Sequence, residues 1–363
     1  MTHYSQPITK FDRHSLWVSI PLLMAILFWA SGCETQDTAK GSSTPTAQPV
    51  EPIAAAEPQA QLITRDTADQ LMLSGQLAGD AERIYGLGFS SDGKTLAAGG
   101  NNGMVRLWDL ESLETLDSIP LAGNWDVYFA PDDAHLATDL GFVCDIQTGE
   151  RIFDMQGSKT RAAFSPDGRW MAATGFATPI QIWNTQNWEV ESSLEGHSDR
   201  VFGMAFSSDN RLLVTSSGIG PTDISSYEVK VWDLSSGEEI LNLTGHSGDI
   251  HAVAVSPDSS LIASASTDYT VKVWEVSSGE LQHSFRHSDG LFSVRFSPDG
   301  ALIASAGVDR AVKVWDVESG KLLISLPHAD EVLTMAFSPD GRLLASGGYD
   351  GMIYLWGIPK GGE

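Results

Sequence analysis

The chain predicts an all-β fold, a seven-bladed β-propeller of four-stranded antiparallel blades, and three observations carry the prediction. First, one pattern recurs seven times. An apolar run leads into a Ser-Pro-Asp-Gly-like turn, then a Leu/Ala/Ser run, a polar turn and an alternating strand that closes on Trp-Asp. The turn aspartates are Asp92, Asp132, Asp167, Asp209, Asp258, Asp299 and Asp340. Second, the closing positions Trp108, Cys144, Trp183, Trp232, Trp274, Trp315 and Trp356 lie 36, 39, 49, 42, 41 and 41 residues apart. A period of about 40–45 residues is that of four short strands per blade around a ring. Third, seven residues follow Trp356, too few for a further strand. Aligning residues 76–79 with 242–245 puts residues 71–77 in a fourth-strand position ahead of blade one. The first strand is therefore expected to complete the last blade, which removes exposed sheet edges.

The N-terminal elements differ in kind. Residues 1–32 read as a secretory signal, with basic Lys10 and Arg13, an apolar run over 16–30 broken by Pro21, and the small residues Ala30, Ser31 and Gly32 ahead of Cys33. The run is shorter than the roughly 20 residues that span a bilayer. The ending resembles the lipobox of bacterial lipoproteins, with Ala30 where Leu is usual. That resemblance implies that Cys33 is lipidated and holds the protein by a membrane anchor at the extracytoplasmic face of a membrane in a bacterial cell envelope. Secretion without lipid and an uncleaved anchor are the other readings. Residues 34–60 contain no aromatic residue and are dominated by Ser, Thr, Pro, Ala, Gln and Glu. Such a segment buries too little to order itself, so residues 33–61 read as a disordered tether, spanning roughly 30 Å. Residues 62–363 are the expected propeller.

Blade five shows how each repeat is built. Ile250, Ala252 and Ala254 alternate with His251, Val253 and Val255, which suits an inner strand covered on both faces. Ser256-Pro257-Asp258-Ser259 is a type I turn, in which Pro presets φ and Asp bonds back to the backbone. Residues 261–265 make the second strand and 270–274 the third, and Ser277-Ser278-Gly279 turns into a fourth.

Over residues 70–357 the chain resembles the WD-repeat family. In that family a His, a strand Ser, a turn Asp and the strand Trp form a buried hydrogen-bonded set. The resemblance implies such a set at His246, Ser264, Asp268 and Trp274, at His287, Ser305, Asp309 and Trp315, and at His328, Ser346, Asp350 and Trp356. A fully satisfied network in low dielectric rigidifies a blade. Ser, His and Asp together also invite a triad reading, but the trio recurs in three blades and no G-x-S-x-G turn surrounds the serines. His283 and His287 are four apart without further metal-ligand spacing, and no P-loop, H-E-x-x-H or dinucleotide fingerprint occurs. No catalytic residue, metal or cofactor is expected.

Earlier blades depart from the pattern. Blade one has Asp80 in place of His and Asn102 in place of Asp, blade two has Cys144 in place of Trp, and blade three lacks an evident His. Cys144 is expected to be a small buried apolar residue. Blade four carries His197 and Trp232 and a turn lengthened over residues 218–225.

The formal charge of −25 favours solubility and disfavours nucleic acid and anionic lipid surfaces. The resemblance implies that partners dock on the face formed by the turns before the inner strand and between the second and third strands. The positions just after the first apolar residue of each inner strand read Tyr85, Trp125, Thr160, Phe202, His251, Phe292 and Leu333. Tyr349, before a turn Asp, and the cations Arg83 and Arg200 join them. Aromatics and Arg on one rim have the composition of binding hot spots. The expected function is a lipid-anchored scaffold, monomeric in itself, that binds a protein or peptide there. A ligand sensor or enzyme using the central channel is the alternative.

Overall fold

The computed structural model describes residues 60–359 other than 80, 121–126, 139–140, 156–158, 176–178, 198 and 219–226. Cys33, the signal and tether segments, Asp80, Trp125 and most of the 218–225 turn lie outside the described residues. Seven four-stranded antiparallel sheets form the seven blades. Six take their strands in sequence order, and in blade five these are Ile250–Val255, Leu261–Ser266, Thr270–Glu275 and Leu281–Arg286. The first strands of successive blades contact one another all round the ring, the seventh against the first included.

The last blade is completed from the other end of the sequence. Met72–Ala78 pairs antiparallel with Met352–Gly357, outside Leu343–Gly348 and Val332–Phe337. The strand begins one residue later than the sequence alignment places it. Residues 60–71 extend the closure. Arg342 donates from Nη1 to the carbonyl of Ala60 at 2.6 Å, Gln61 bridges to Ile358, and the Ile63 amide donates to the Gly341 carbonyl at 2.8 Å. Ile63, Ala68 and Leu71 are buried with Leu326, Leu344, Trp356 and Ile358. Each buried Ile or Leu side chain contributes about 1.5–3 kcal/mol.

The turns work as the sequence chemistry requires. In six blades a Ser hydroxyl donates to the turn Asp, as Ser256 to Asp258 at 2.6 Å, and accepts from the amide five residues on, as from Leu261 at 2.9 Å. The residue after each turn Asp takes positive φ, and Asp133, Asn210 and Ser259 adopt it where the other blades use Gly. Blade two has Ala130 in place of the Ser, and there Asp132 bonds His135 at 2.6 Å. The core lies between neighbouring blades: Val271, Val273 and Phe285 of blade five meet Leu291, Val294 and Trp315 of blade six.

Candidate functional site

Two constellations are built on this frame, one inside the blades and one at the channel mouth. In blade five, Trp274 Nε1 donates to Ser264 Oγ at 3.0 Å, Ser264 donates to His246 Nε2 at 2.8 Å, and His246 Nδ1 donates to Asp268 Oδ2 at 2.8 Å. The directions follow from the ends of the chain, since indole only donates and carboxylate only accepts. Blade six repeats it through Trp315, Ser305, His287 and Asp309, at 2.8, 2.7 and 2.9 Å, and Lys313 Nζ reaches Asp309 at 3.2 Å. Burial pushes both imidazoles down, and their aspartates only partly restore them. Burial is the largest single influence and opposes ionisation of the aspartates, but the histidine bonds together with Thr270 and the Ser247 amide at Asp268, and with Lys313 at Asp309, outweigh it and hold Asp268 far below the usual carboxylate range and Asp309 at about 2. Ser264 and Ser305 are fully buried, so neither can meet a substrate. The trio is structural.

Blade seven departs from the expected set. Ser346 donates to His328 at 2.7 Å and Trp356 to Ser346 at 2.8 Å. His328 Nδ1, however, bonds the Leu326 carbonyl at 3.2 Å, and Asp350 instead accepts from the Tyr354 hydroxyl at 2.7 Å. The cause is legible afterwards: four residues past the turn Asp, blades five and six carry Lys272 and Lys313, and blade seven carries Tyr354. Burial, then the bond to Asp350, pushes the Tyr354 phenol up to about 12. Blade four uses Thr215, a residue the sequence analysis missed, as its hydroxyl. It lies 2.7 Å from His197 Nε2 and accepts from Trp232 Nε1 at 2.8 Å. His197 Nδ1 has no partner among the described residues, and burial pulls this imidazole down to about 3.

Blades one to three hold little of this chemistry. Blade three places Met155 and Ala173, both buried, where blade five has His246 and Ser264, and Trp183 Nε1 finds no partner among the described residues. Its indole instead meets Phe153 edge-on at 5.1 Å. In blade two Cys144 is fully buried, and burial pushes its thiol up. In blade one Asn102 accepts from the Met104 amide at 3.1 Å.

The rim has its own device. In each of six blades the first residue of the inner strand pairs with the end of the second strand, and the residue after it is the extra residue of a β-bulge. Those bulged residues include Tyr85, Phe202, His251, Phe292 and Leu333. The bulge turns each side chain out of the blade, and all five are half-buried. The two turns of the face are tied together in five blades by one repeated bond, as from the Tyr349 amide to the Glu331 carbonyl and from Gly218 to Arg200.

The expected set divides into two groups. Phe202 lies 5.0 Å from His251, and His251 lies 5.2 Å edge-on from Phe292, across blades four to six. Arg200 sits over the Phe202 ring at 5.2 Å. A Cβ on Gly218 would come within 2.3 Å of that ring, so any side chain there would force the ring to move. The second group joins blades seven and one, with Arg83 over the Tyr349 ring at 4.4 Å and 3.4 Å from the Tyr85 hydroxyl. Sequence reading also missed Arg161, whose Nε donates to the Phe202 carbonyl in the next blade. Burial first, then Arg161 and Arg200, pulls His251 down to about 3, so it is neutral at ordinary pH.

A closed ring of seven four-stranded blades, with hydrogen-bonded His–Ser–Trp sets inside its C-terminal half, defines a repeat propeller whose polar chemistry serves the scaffold. The WD domain, G-beta repeat, description matches residues 72–109, 188–233, 237–275, 279–316 and 320–357. The chain belongs to the WD-repeat family. Propellers of this family act generally as protein-interaction scaffolds. The unmatched stretch between residues 109 and 188 contains Cys144 and the Met155–Ala173 substitution. The chain is 30% identical over 161 residues to WD repeat-containing protein SL1-17 of Schistosoma mansoni, covering 42% of this chain and 53% of that protein. It is 28% identical to the LST8 homolog of Drosophila melanogaster, over 39% of this chain and 51% of that one. It is 26% identical to cell division cycle 20.6, cofactor of APC complex, of Arabidopsis thaliana, over 44% and 41%. The chain thus spans about half or less of the length of these relatives.

Proposed function

We propose that the protein is a lipid-anchored extracytoplasmic scaffold that binds a protein or peptide partner on the bulged face of the propeller. The single observation that carries the binding face is the recurrent bulge, which presents Tyr85, Phe202, His251, Phe292 and Leu333 at one rim. Half-buried aromatics beside Arg83 and Arg200 supply rigid contact area and planar donors. One relative, the Arabidopsis protein, is described as the cofactor of a complex, which fits a role in assembly. The anchor rests on the sequence: a short apolar run followed by Ala-Ser-Gly-Cys at residues 30–33. On this reading residues 1–32 are removed, Cys33 carries the acyl chains, residues 33–61 are the tether and 62–363 the propeller. Each buried CH₂ contributes about 0.8 kcal/mol, so more than one chain gives stable attachment.

Intact-mass measurement of the membrane fraction tests the anchor. An acylated chain beginning at Cys33 is expected, and an unmodified Cys33 or a retained 1–32 segment overturns it. Photo-crosslinking tests the face. A crosslinker at Leu333 should trap a defined partner, while one at Ser259 in the opposite-face turn should not. Phe202→Ala with Phe292→Ala should abolish trapping at unchanged melting temperature. Trapping from Ser259 alone would place the partner on the other side.

A further inference from the structure

Two pairs of adjacent blades enclose the same kind of groove beside their Asp turns, and the chain fills one of the two itself. Between blades five and six the groove holds about 430 Å³, with Leu261 and Glu275 on one wall and Val317 and Glu318 on the other. Arg65, from the N-terminal segment, lies in it. Its Nε pairs with Asp316 Oδ2, and its Nη1 donates to Glu318 at 2.6 Å. Asp316 can serve two partners because Oδ1 accepts from the Ser319 amide at 2.7 Å and Oδ2 faces the arginine.

Between blades three and four the groove holds about 240 Å³, and among the described residues its lining comes from those two blades alone. Position for position, Trp170 stands where Leu261 does, Leu234 where Val317 does and Asp233 where Asp316 does. Asp233 repeats the turn role. Its Oδ1 accepts from the Ser235 and Ser236 amides at 2.9 and 3.1 Å, and its Oδ2 has no partner among the described residues. Bonds from Ser235 and then Ser236 hold the carboxyl below the usual range, so it carries its charge. Ser235 replaces Glu318, and Glu191 on the blade-three wall supplies the second carboxylate. Two cations stand nearby. Arg169 covers the Trp170 ring at 5.4 Å, and Arg211 acts on Asp209 of its own turn. Two carboxylates therefore face a groove whose structural twin already holds a guanidinium.

We infer that the groove between blades three and four is a binding site for an arginine side chain of a partner protein or peptide, with Asp233 and Glu191 taking the guanidinium and Trp170, Ile182 and Leu234 covering its aliphatic stem. A planar, weakly hydrated guanidinium pairs with carboxylate while its stem buries apolar surface, as this lining asks. The field of a chain of net charge −25 favours the approach of a cationic segment. The site is separate from the bulged face, because its lining includes Asn210 of an opposite-face turn, and it does not rest on the reading of that face.

Fluorine NMR of the full-length protein labelled with fluorotryptophan tests it, with the Trp170 resonance assigned from Trp170→Phe. Titration with N-acetyl-arginine amide at millimolar concentration should shift that resonance, and the neutral isostere N-acetyl-citrulline amide should not. Asp233→Asn should weaken the arginine probe at least about tenfold, as loss of a charge-assisted pair requires. Asparagine is tolerated at this position of the repeat, since Asn184 holds it in blade three and its Oδ1 accepts from the Gln186 amide at 2.9 Å. Glu191→Gln, on an exposed strand position, reads the same loss in a second way. Phe202→Ala with Phe292→Ala should leave the shift unchanged, so the bulged face can fail without this site and this site without the face. No shift of the Trp170 resonance, an equal shift by the citrulline probe, or unaltered arginine binding in both Asp233→Asn and Glu191→Gln overturns the inference.

Discussion

Blade five and blade three have the same four-strand architecture and opposite interiors. Blade five ties its strands with indole, hydroxyl, imidazole and carboxylate, each satisfied by the next. Blade three fills the same positions with Met155 and Ala173 and leaves the Trp183 N–H without a partner among the described residues. Both sheets form, because the strand pairs, bulges and inter-blade apolar contacts are common to the two. The polar set is therefore not what makes a blade. It fixes the turn between the second and third strands, as the Asp268 bonds to the Ser247 amide and Thr270 show. Blades four and seven are intermediates: one replaces Ser with Thr215, and the other diverts its Asp to Tyr354.

The largest effect expected is on what both kinds of blade share, the closed ring. Deleting residues 60–78 removes the outer strand of the last blade and the buried Ile63, Ala68 and Leu71. The cooperative melting transition should be lost, whereas deleting 36–56 should leave it in place. Equal melting of the two deletions and the parent would show that the ring closes without this strand.

Next comes the network itself. Asp268→Ala and Asp309→Ala each leave a buried imidazole N–H without its acceptor, at a cost of about 1–3 kcal/mol. Asp350→Ala should cost less, since His328 Nδ1 bonds the Leu326 carbonyl instead. Urea titration of the three variants gives the order, and a larger loss for Asp350→Ala would contradict the diversion to Tyr354.

Acid sharpens the contrast between imidazoles with and without a carboxylate. His197 is pulled down to about 3 by burial and then Lys230, whereas an unfolded histidine titrates near 6.5. Below about pH 6.5 the unfolded chain takes up a proton that the folded one refuses, so this group's stabilisation is lost progressively as pH falls towards about 3. Asp268, depressed in the fold, loses its contribution in acid as well, starting near the unfolded carboxylate range of about 4. His197→Gln should flatten the dependence of melting temperature on pH between about 6.5 and 4, ahead of the carboxylate loss. An unchanged slope would mean that His197 titrates normally in the fold.

The smallest effect runs the other way. Ala173→Ser places a hydroxyl two positions along the strand from the residue facing Trp183, as Ser264 stands to Trp274. It should gain about 0.5–1.5 kcal/mol by satisfying the indole. A loss of stability would show that blade three has packed too tightly around Ala173 to accept an oxygen.

Much of this was legible in the residues. The seven turn aspartates and the Trp spacing marked the blades, and the alignment of residues 76–79 with 242–245 pointed to the strand now seen at Met72–Ala78. The networks of blades five and six followed from residue type at fixed offsets, because a repeat carries its hydrogen-bonding partners at constant separation. Asp350 escaped that reasoning: its partner depends on which side chain four residues on reaches it first, and Tyr354 does. Arg161 escaped it too, since its partner belongs to another blade.

By itself the sequence determined how many blades there are, where each turns and which strand closes the ring. These depend on local chemistry: proline and aspartate in a turn, alternation in a strand, and a period that returns the chain to the same place in the next blade. Only the tertiary structure decided the channel mouth. Residues from blades three to six, remote in sequence, meet there because ring closure brings bulged inner strands side by side. No local pattern records that Arg161 bonds the Phe202 carbonyl, or that His251 stands between two rings and close to two arginines. Such contacts are set by the curvature of the ring and not by spacing along the chain.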